Sequence, residues 1–162
     1  NILDGEGNLD ADEELMRRLD IRIAGIHSLC YTHGTKEENT YGMVQAIRHP
    51  YIQIISHPGD GTALLDFEPI VLASKECGTL LEINNSSLKP TRNKVDARDN
   101  NREILRLCKQ YEVPVILGSD AHISFDIANY EYLYSLLQET EFPEELIVNR
   151  CVEVFKKCLK KI

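Results

Sequence analysis

Hydrophobic and polar positions follow two distinct patterns along the chain. Short runs of consecutive apolar residues recur, and the clearest is Val115, Ile116 and Leu117 after Pro114. An apolar run without polar alternation indicates a strand covered on both faces, as in a parallel sheet. Between these runs, apolar residues recur at spacings of three and four, which predicts helices.

The two patterns alternate along most of the chain. They predict strands over residues 21–26, 52–55, 79–83 and 114–117 and helices over residues 11–19, 41–48, 67–77, 100–111, 126–138 and 152–159. Residues 1–10 are predicted as the tail of a strand with a glycine-rich turn, and residues 28–40 as a polar loop. Strands that alternate with helices imply right-handed parallel β/α units. The predicted fold class is therefore α/β.

Polar side chains follow each predicted strand at its carboxyl end. They belong to His27, His57, Asn84, Asp120 and His122. The carboxyl edge of a parallel sheet is where sites are built, and imidazole with carboxylate suits zinc, manganese or iron. Asp120 and His122 are two residues apart, so on extended backbone they would point the same way. Taken jointly the four ionisable residues predict a metal site. Each histidine alone would more often be a buried, hydrogen-bonded side chain, and Asp-x-His alone fits a surface turn equally well.

Two further ionisable residues leave alternatives open. Arg92 lies in the basic loop 89–98 at the same rim, and its guanidinium would match phosphate oxygens. It is a candidate for binding an anionic substrate, although a solvated loop is an equally good interpretation. Glu82 lies inside a buried strand and needs a partner or a raised pKa, which fits a structural role as well as a catalytic one.

Composition narrows the classes of function. A chain of 162 residues is expected to form one domain, and a net charge of -8 opposes a main role in binding nucleic acid. Five cysteines without a Cys-x-x-Cys pair predict neither a disulfide framework nor a zinc knuckle. No signal peptide or run near the roughly 18 apolar residues of a membrane helix occurs. We therefore expect a cytoplasmic protein that binds neither nucleic acid nor membrane.

Four segments at the predicted strand ends form a characteristic set of motifs. They are Ala-Gly-Ile-His at 24–27, Ile-Ile-Ser-His-Pro-Gly at 54–59, Leu-Glu-Ile-Asn-Asn-Ser-Ser at 81–87 and Leu-Gly-Ser-Asp-Ala-His at 117–122. Their order and spacing resemble the polymerase and histidinol phosphatase (PHP) superfamily, most closely its YcdX-like bacterial phosphatase branch, over essentially the whole chain. The resemblance implies a distorted, TIM-like (β/α)7 barrel with three metal ions at its carboxyl rim. It also implies hydrolysis of phosphate esters by metal-bound water, without a covalent enzyme nucleophile.

The resemblance suggests a role for each candidate ligand. His27 and His57 match the two histidines that hold one metal ion, Asp120 matches an aspartate on a second, and His122 matches a histidine on a third. The family's other ligands lie upstream of the matched segments. The resemblance therefore implies that residues 1–162 are the C-terminal portion of a single PHP phosphatase domain, without its N-terminal strands.

The expected function is metal-dependent phosphomonoester hydrolysis, incomplete in this chain. Zinc is the first expected metal, with manganese, iron or magnesium as alternatives, and the expected substrate is a small phosphorylated molecule. A homo-oligomer or a complementing chain with the N-terminal strands is the expected partner. One alternative is a nuclease-type hydrolase on the same scaffold, which the acidic composition opposes. Another is a non-catalytic partial barrel that associates through open sheet edges.

Overall fold

The computed structural model describes residues 1–90 and 96–159. Within these residues lies one four-stranded sheet, formed by β1 (Ile23–Ala24), β2 (Ile54–Ile55), β3 (Leu80–Asn84) and β4 (Val115–Gly118). The strands pair in the order β1-β2-β3-β4, and all three pairings are parallel. Helices lie between the strands, so the predicted α/β class is confirmed, and the arrangement is consistent with part of a β/α barrel.

Six α-helices accompany the sheet in the described residues. They are α1 (Glu13–Arg17), α2 (Lys36–Arg48), α3 (Phe67–Cys77), α4 (Ala97–Tyr111), α5 (Glu131–Thr140) and α6 (Val152–Cys158). The predicted bounds of α3 are confirmed. This helix begins after Asp66, whose side chain accepts from the Glu68 N–H, and ends where Gly78 adopts a left-handed φ of 67°. Within the ranges that the structure describes, no helix combines the length and apolar character needed to cross a membrane.

The predicted loop over residues 28–40 is wrong for its last five residues, because α2 begins at Lys36. Thr35 and Glu38 form a capping box at its start. The Thr35 hydroxyl accepts from the Glu38 N–H at 3.2 Å, and the Glu38 carboxylate accepts from the Thr35 N–H at 2.7 Å. These two bonds satisfy backbone donors that a helix start otherwise leaves unpaired. The Thr-x-x-Glu signal was present in the sequence and outweighs the polar composition of this stretch.

The start of α5 also differs from the prediction. Ser124–Asp126 forms a short 3-10 helix, and Ala128 then adopts a φ of 57°, which an α-helix cannot contain. The α-helix begins only at Glu131, where the Asn129 side chain accepts from the backbone N–H.

The strands β1 and β2 are shorter than predicted, and a buried arginine lies just before β1. Arg22 donates through Nε to the carbonyl oxygen of Tyr51 at 2.8 Å and through Nη1 to that of Met16 at 3.1 Å. Its backbone N–H donates to the Gln53 side chain at 2.8 Å. Side-chain bonds thus replace part of the backbone ladder before Ile23 and Ile54.

Isolated bridges extend the sheet beyond both of its outer strands. Ile2 forms a parallel bridge with Ile26, beside the end of β1, and its N–H donates to the Gly25 carbonyl oxygen at 3.0 Å. At the other edge, Ile147 forms a parallel bridge with Val115 of β4. Residues outside the regular strands therefore continue the same parallel pairing.

Successive strand residues point to opposite faces of the sheet. Ile55, Leu81 and Val115 point outward into the main hydrophobic core, which also contains apolar residues of α2, α3, α4 and α5. This core packs helices against one face of the sheet and holds its strands in place.

The opposite face of the sheet, which we call the inner face, carries Ile54, Leu80 and Ile116 and packs against α6. Alternation along β3 and β4 places Glu82 and Gly118 on this same face, nearer the carboxyl ends of the strands. A Cβ atom at position 118 would lie only 1.7 Å from Oε1 of Glu82. The absence of a side chain at Gly118 therefore makes room for a carboxylate on the inner face.

We predict that Thr35→Ala lowers the free energy of unfolding by about 1 kcal/mol, because the Glu38 N–H loses its cap. Urea denaturation followed by circular dichroism would measure this difference. Thr35→Ser is the matched control, since it keeps the hydroxyl and should stay close to the parent chain. Equal stability of Thr35→Ala and Thr35→Ser would contradict a capping role.

We also predict that Gly118→Ala destabilises the fold by about 1–3 kcal/mol, the usual cost of overpacking a well-packed interior. A double-mutant cycle with Glu82→Ala tests the cause, because removing the carboxylate removes the clash. In the Glu82→Ala background, Gly118→Ala should then lower the free energy of unfolding much less, as measured by denaturant titrations. An equal cost in both backgrounds would show that the contact with Glu82 is not responsible.

Candidate metal centre

A cavity of about 470 Å³ lies at the carboxyl ends of the four strands. All four predicted ligands line it, namely His27 after β1, His57 after β2, and Asp120 and His122 after β4. Ser87 lines the same cavity after β3. Parallel pairing of the strands thus brings together residues that are as far as 95 positions apart in the sequence.

His27 and His57 form the closest contact between predicted ligands. Their Nε2 atoms are 3.2 Å apart, and their rings meet edge to face with centroids 4.8 Å apart. Two nitrogens bound to one tetrahedral zinc ion at about 2.0–2.1 Å lie roughly 3.3 Å apart. The spacing of the pair therefore suits joint binding of one cation, and it equally allows a hydrogen bond between one protonated and one unprotonated nitrogen.

The backbone of His57 has a left-handed φ of 34°, which is uncommon for a residue other than glycine. Its N–H donates to Oε2 of Glu82 at 2.8 Å, and its carbonyl oxygen accepts from the Asp60 N–H at 3.1 Å. On the ring, Nδ1 lies 3.4 Å from Oδ2 of Asp60. The carboxylates of Glu82, on β3, and of Asp60, in the loop after β2, therefore both contact His57.

Asp120 and His122 do not have the geometry that we expected. The extended backbone is wrong, because Asp120 adopts a left-handed φ of 51°. His122 instead turns back, so that its Nδ1 lies 2.9 Å from the Asp120 carbonyl oxygen and 3.9 Å from Oδ1. The His122 side chain is 70% exposed. The two residues line the cavity, but the imidazole lies at its open side.

The predicted ligands do not converge on one point. Among residues 1–90 and 96–159, no group of three or more histidine, cysteine, aspartate or glutamate side chains could hold a metal ion together. The pair of His27 and His57 is thus the arrangement here that best suits a cation. The other coordination positions of a cation bound by this pair would need further donors.

Glu82 lies close to this pair on the inner face. Burial raises the pKa of its carboxyl group, while hydrogen bonds from the His57 N–H and the Asn84 side chain oppose that shift. The negative charges of Asp120 and Asp60 raise the pKa further. Glu82 therefore has the hydrogen-bond partners that a carboxylate in a buried strand was expected to need.

The basic loop that contains Arg92 is described only at its two ends, because Arg92 itself lies outside the described residues. Lys89 forms an ion pair with Asp126 at 3.1 Å, and Arg98 forms one with Glu139 at 2.7 Å. Both cations of the loop ends thus have acidic partners on the chain. Substrate binding by Arg92 stays a prediction.

Asp60 is the residue of this site that the sequence analysis missed. It is only 4% exposed, and its two carboxylate oxygens accept from the N–H and the hydroxyl of Thr62, each at 2.8 Å. The signal was its position three residues after His57, across the turn that Pro58 and Gly59 form. Such a turn returns the chain toward the imidazole.

Comparison with known proteins finds close relatives. The chain is 45% identical over 160 residues to a probable phosphatase of Caldicellulosiruptor bescii, which covers 99% of the chain and 65% of that protein. It is 42% identical over 149 residues to a probable phosphatase of Clostridium novyi, covering 92% of the chain and 60% of the relative. The corresponding protein of Acetivibrio thermocellus is 38% identical over 161 residues, covering 99% and 66%.

These relatives are longer than the chain, which spans between 60% and 66% of their lengths. A comparison with models of protein families finds no match. Over nearly its whole length, the chain is therefore similar to part of several proteins that are named as probable phosphatases.

Proposed function

We propose that the chain forms part of a metal-dependent phosphoesterase site that hydrolyses small phosphomonoesters. The observation that carries the proposal is the pair of Nε2 atoms of His27 and His57, 3.2 Å apart in a cavity that Asp120 and His122 also line. The similarity to proteins named as probable phosphatases supports the reaction class.

The chemistry of the donor set fits zinc first, with manganese, iron or magnesium as alternatives. His27 and His57 would hold one ion, Asp120 would bind a second, and His122 a third, as the PHP resemblance implies. Because no three donors converge in the described residues, we propose that further donors complete each coordination shell. The resemblance suggests that they would come from N-terminal strands of a complete domain.

The charges around the cavity support a role for cations. Asp60 and Asp120 line it, and the chain as a whole has a net charge of -8. Like charges would repel a phosphate group from this cavity in the absence of bound cations. Divalent ions, when bound, would polarise the phosphoryl oxygens and lower the pKa of a water molecule that attacks phosphorus.

A serine nucleophile has less support. Ser87 lines the cavity, but its hydroxyl donates to Oδ1 of Asn84 at 3.1 Å. An amide oxygen is not a base that could remove the hydroxyl proton, so this contact does not activate the serine. The arrangement therefore favours attack by water.

A non-catalytic partial barrel is the second candidate. It is favoured by the lack of three converging donors in the described residues. A nuclease-type hydrolase on this scaffold is opposed by the acidic charge of the chain, which would repel a polynucleotide.

We expect about one or more divalent ions per chain, because the Nε2 atoms of His27 and His57 have the spacing of two ligands on one zinc ion. Plasma mass spectrometry of protein purified without a histidine tag would measure this content, together with hydrolysis of p-nitrophenyl phosphate. His27→Ala and His57→Ala should each reduce bound metal. His33→Ala is the control, since His33 lies outside the cavity that holds the pair. A metal-free parent chain would contradict a metal centre formed by this chain alone and would favour the non-catalytic alternative.

We expect Arg92→Ala to weaken phosphate binding by about 10–100-fold, because a hydrogen bond to a charged group is worth about 1.5–3 kcal/mol. Steady-state kinetics would measure the change, or calorimetry with inorganic phosphate on the metal-loaded chain if turnover is absent. The control is Arg98→Ala, since Arg98 already pairs with Glu139. Equal phosphate affinity in both variants would exclude Arg92 as the phosphate ligand.

A further inference from the structure

His57 is held from two directions, through its backbone by Glu82 and through its ring by Asp60. We propose that Asp60 and Glu82 are positioning residues, which fix His57 so that its Nε2 faces His27 as a metal ligand. This inference rests on the proposed metal site. Neither Asp60 nor Glu82 is among the four predicted metal ligands.

The backbone contact explains how the strained conformation of His57 is held. A left-handed φ of 34° is unfavourable for a residue with a side chain, so it persists only where neighbouring groups enforce it. Glu82 reaches from β3 to the end of β2 and accepts the His57 N–H at 2.8 Å. Asn84 donates to the same carboxylate oxygen at 3.3 Å, which orients it.

The position of Glu82 depends on the space beside it. A Cβ atom at position 118 would overlap Oε1 of Glu82, so the glycine admits the carboxylate to the inner face. From there, the side chain crosses to the neighbouring strand and meets a backbone N–H. The carboxylate thus joins β3 to the end of β2 at the level of the cavity, in space that Gly118 of β4 leaves open.

The ring contact determines which nitrogen of His57 is available. Oδ2 of Asp60 lies 3.4 Å from Nδ1, and Asp60 is itself held by the N–H and hydroxyl of Thr62. A carboxylate beside Nδ1 favours the tautomer that has its proton there, which leaves the lone pair on Nε2. Metal-binding histidines usually have such a partner behind the ring.

The two histidines of the pair differ in this respect. Within the described residues, no carboxylate oxygen lies within 4.0 Å of a His27 ring nitrogen, whereas His57 has Asp60. The Nε2 of His57 faces the Nε2 of His27 at 3.2 Å. Loss of Asp60 should therefore change the tautomer of His57 directly, and that of His27 only through the contact between the two Nε2 atoms.

Asp60→Asn distinguishes two roles of Asp60, which are its contact with the His57 ring and its hydrogen bonds with Thr62 in the loop. The remaining carbonyl oxygen can still accept from the Thr62 N–H, which keeps the turn. The new NH2 group would then face Nδ1 of His57 and donate to it. This reversal favours the opposite tautomer, in which Nε2 carries the proton and cannot bind a metal.

The experiment uses the full chain and two readouts. Long-range ¹H–¹⁵N spectra of the metal-free protein report each histidine tautomer, with the His57 signals identified by their loss in His57→Gln. Zinc affinity is measured by competition with a chromophoric chelator. We expect Asp60→Asn to move the proton of His57 from Nδ1 to Nε2 and to weaken zinc binding about 10–100-fold. Asp99→Asn is the matched control, because Asp99 is exposed on α4 and pairs with Arg102.

Glu82 is tested by the pair Glu82→Gln and Glu82→Ala. We expect the hydrogen bond to protect the His57 amide from hydrogen exchange. Glutamine keeps an oxygen that can accept this N–H, so it should retain most of the zinc affinity and of that protection. Alanine removes the acceptor and should lose both. If circular dichroism shows that Glu82→Ala is unfolded, the test of the hydrogen bond rests on the glutamine variant. Loss of zinc affinity and amide protection in a folded Glu82→Gln variant would overturn the role assigned to the hydrogen bond.

The outcomes distinguish this inference from the function it rests on. A parent chain that binds no zinc would refute a metal site formed by this chain alone, while the tautomer spectra would still test the contact with Asp60. A parent chain that binds zinc, with the tautomer and affinity unchanged in Asp60→Asn, would refute positioning by Asp60 and leave the metal site standing. A shifted tautomer with weakened zinc binding would support both.

Discussion

Parallel pairing of the four strands is the constraint on which the candidate site depends. Because β1 to β4 run in the same direction, the segments that follow them leave the sheet at one edge. His27 and His57 are thirty residues apart in the chain, yet their Nε2 atoms are 3.2 Å apart. A slip of one residue in the register would turn each side chain to the other face and disperse the pair.

The inner face shows how the sheet admits polar groups near this edge. Toward the amino ends of the strands this face is apolar and packs against α6. Toward their carboxyl ends it combines polar side chains with glycines. A Cβ atom at Gly118 would lie 1.7 Å from the Glu82 carboxylate, and one at Gly25 would lie 2.0 Å from the Ser56 hydroxyl. Small residues on one strand thus make room for polar side chains on the next.

Burial of the Glu82 carboxylate is unfavourable, and the structure offsets part of its cost with donors. The His57 N–H and the Asn84 amide both donate to it, yet burial still raises its pKa. Asp60 and Asp120 add negative charge nearby, so the carboxyl edge concentrates acidic groups behind two imidazoles. In our proposal, bound cations compensate this charge and make the cavity suitable for a phosphate group.

Local signals in the sequence determined much of the fold. The bounds of α3 follow from the Asp66 cap and the glycine at 78, and apolar runs locate the four strands. The placement of His27, His57, Asp120 and His122 at strand ends was also readable, because it needs only the alternation of strands and helices. The start of α2 was readable from Thr35 and Glu38, but polar composition suggested a loop.

Tertiary structure alone decided the details of the site. The left-handed φ of Asp120 turns His122 outward, and no local pattern indicated it. The contact of Glu82 with the His57 N–H joins residues 25 positions apart, and it depends on the register between β2 and β3. Residue types and spacing therefore determined which groups reach the carboxyl edge. The orientation of those groups came from long-range contacts, because hydrogen bonds between strands and loops are not encoded by any one segment.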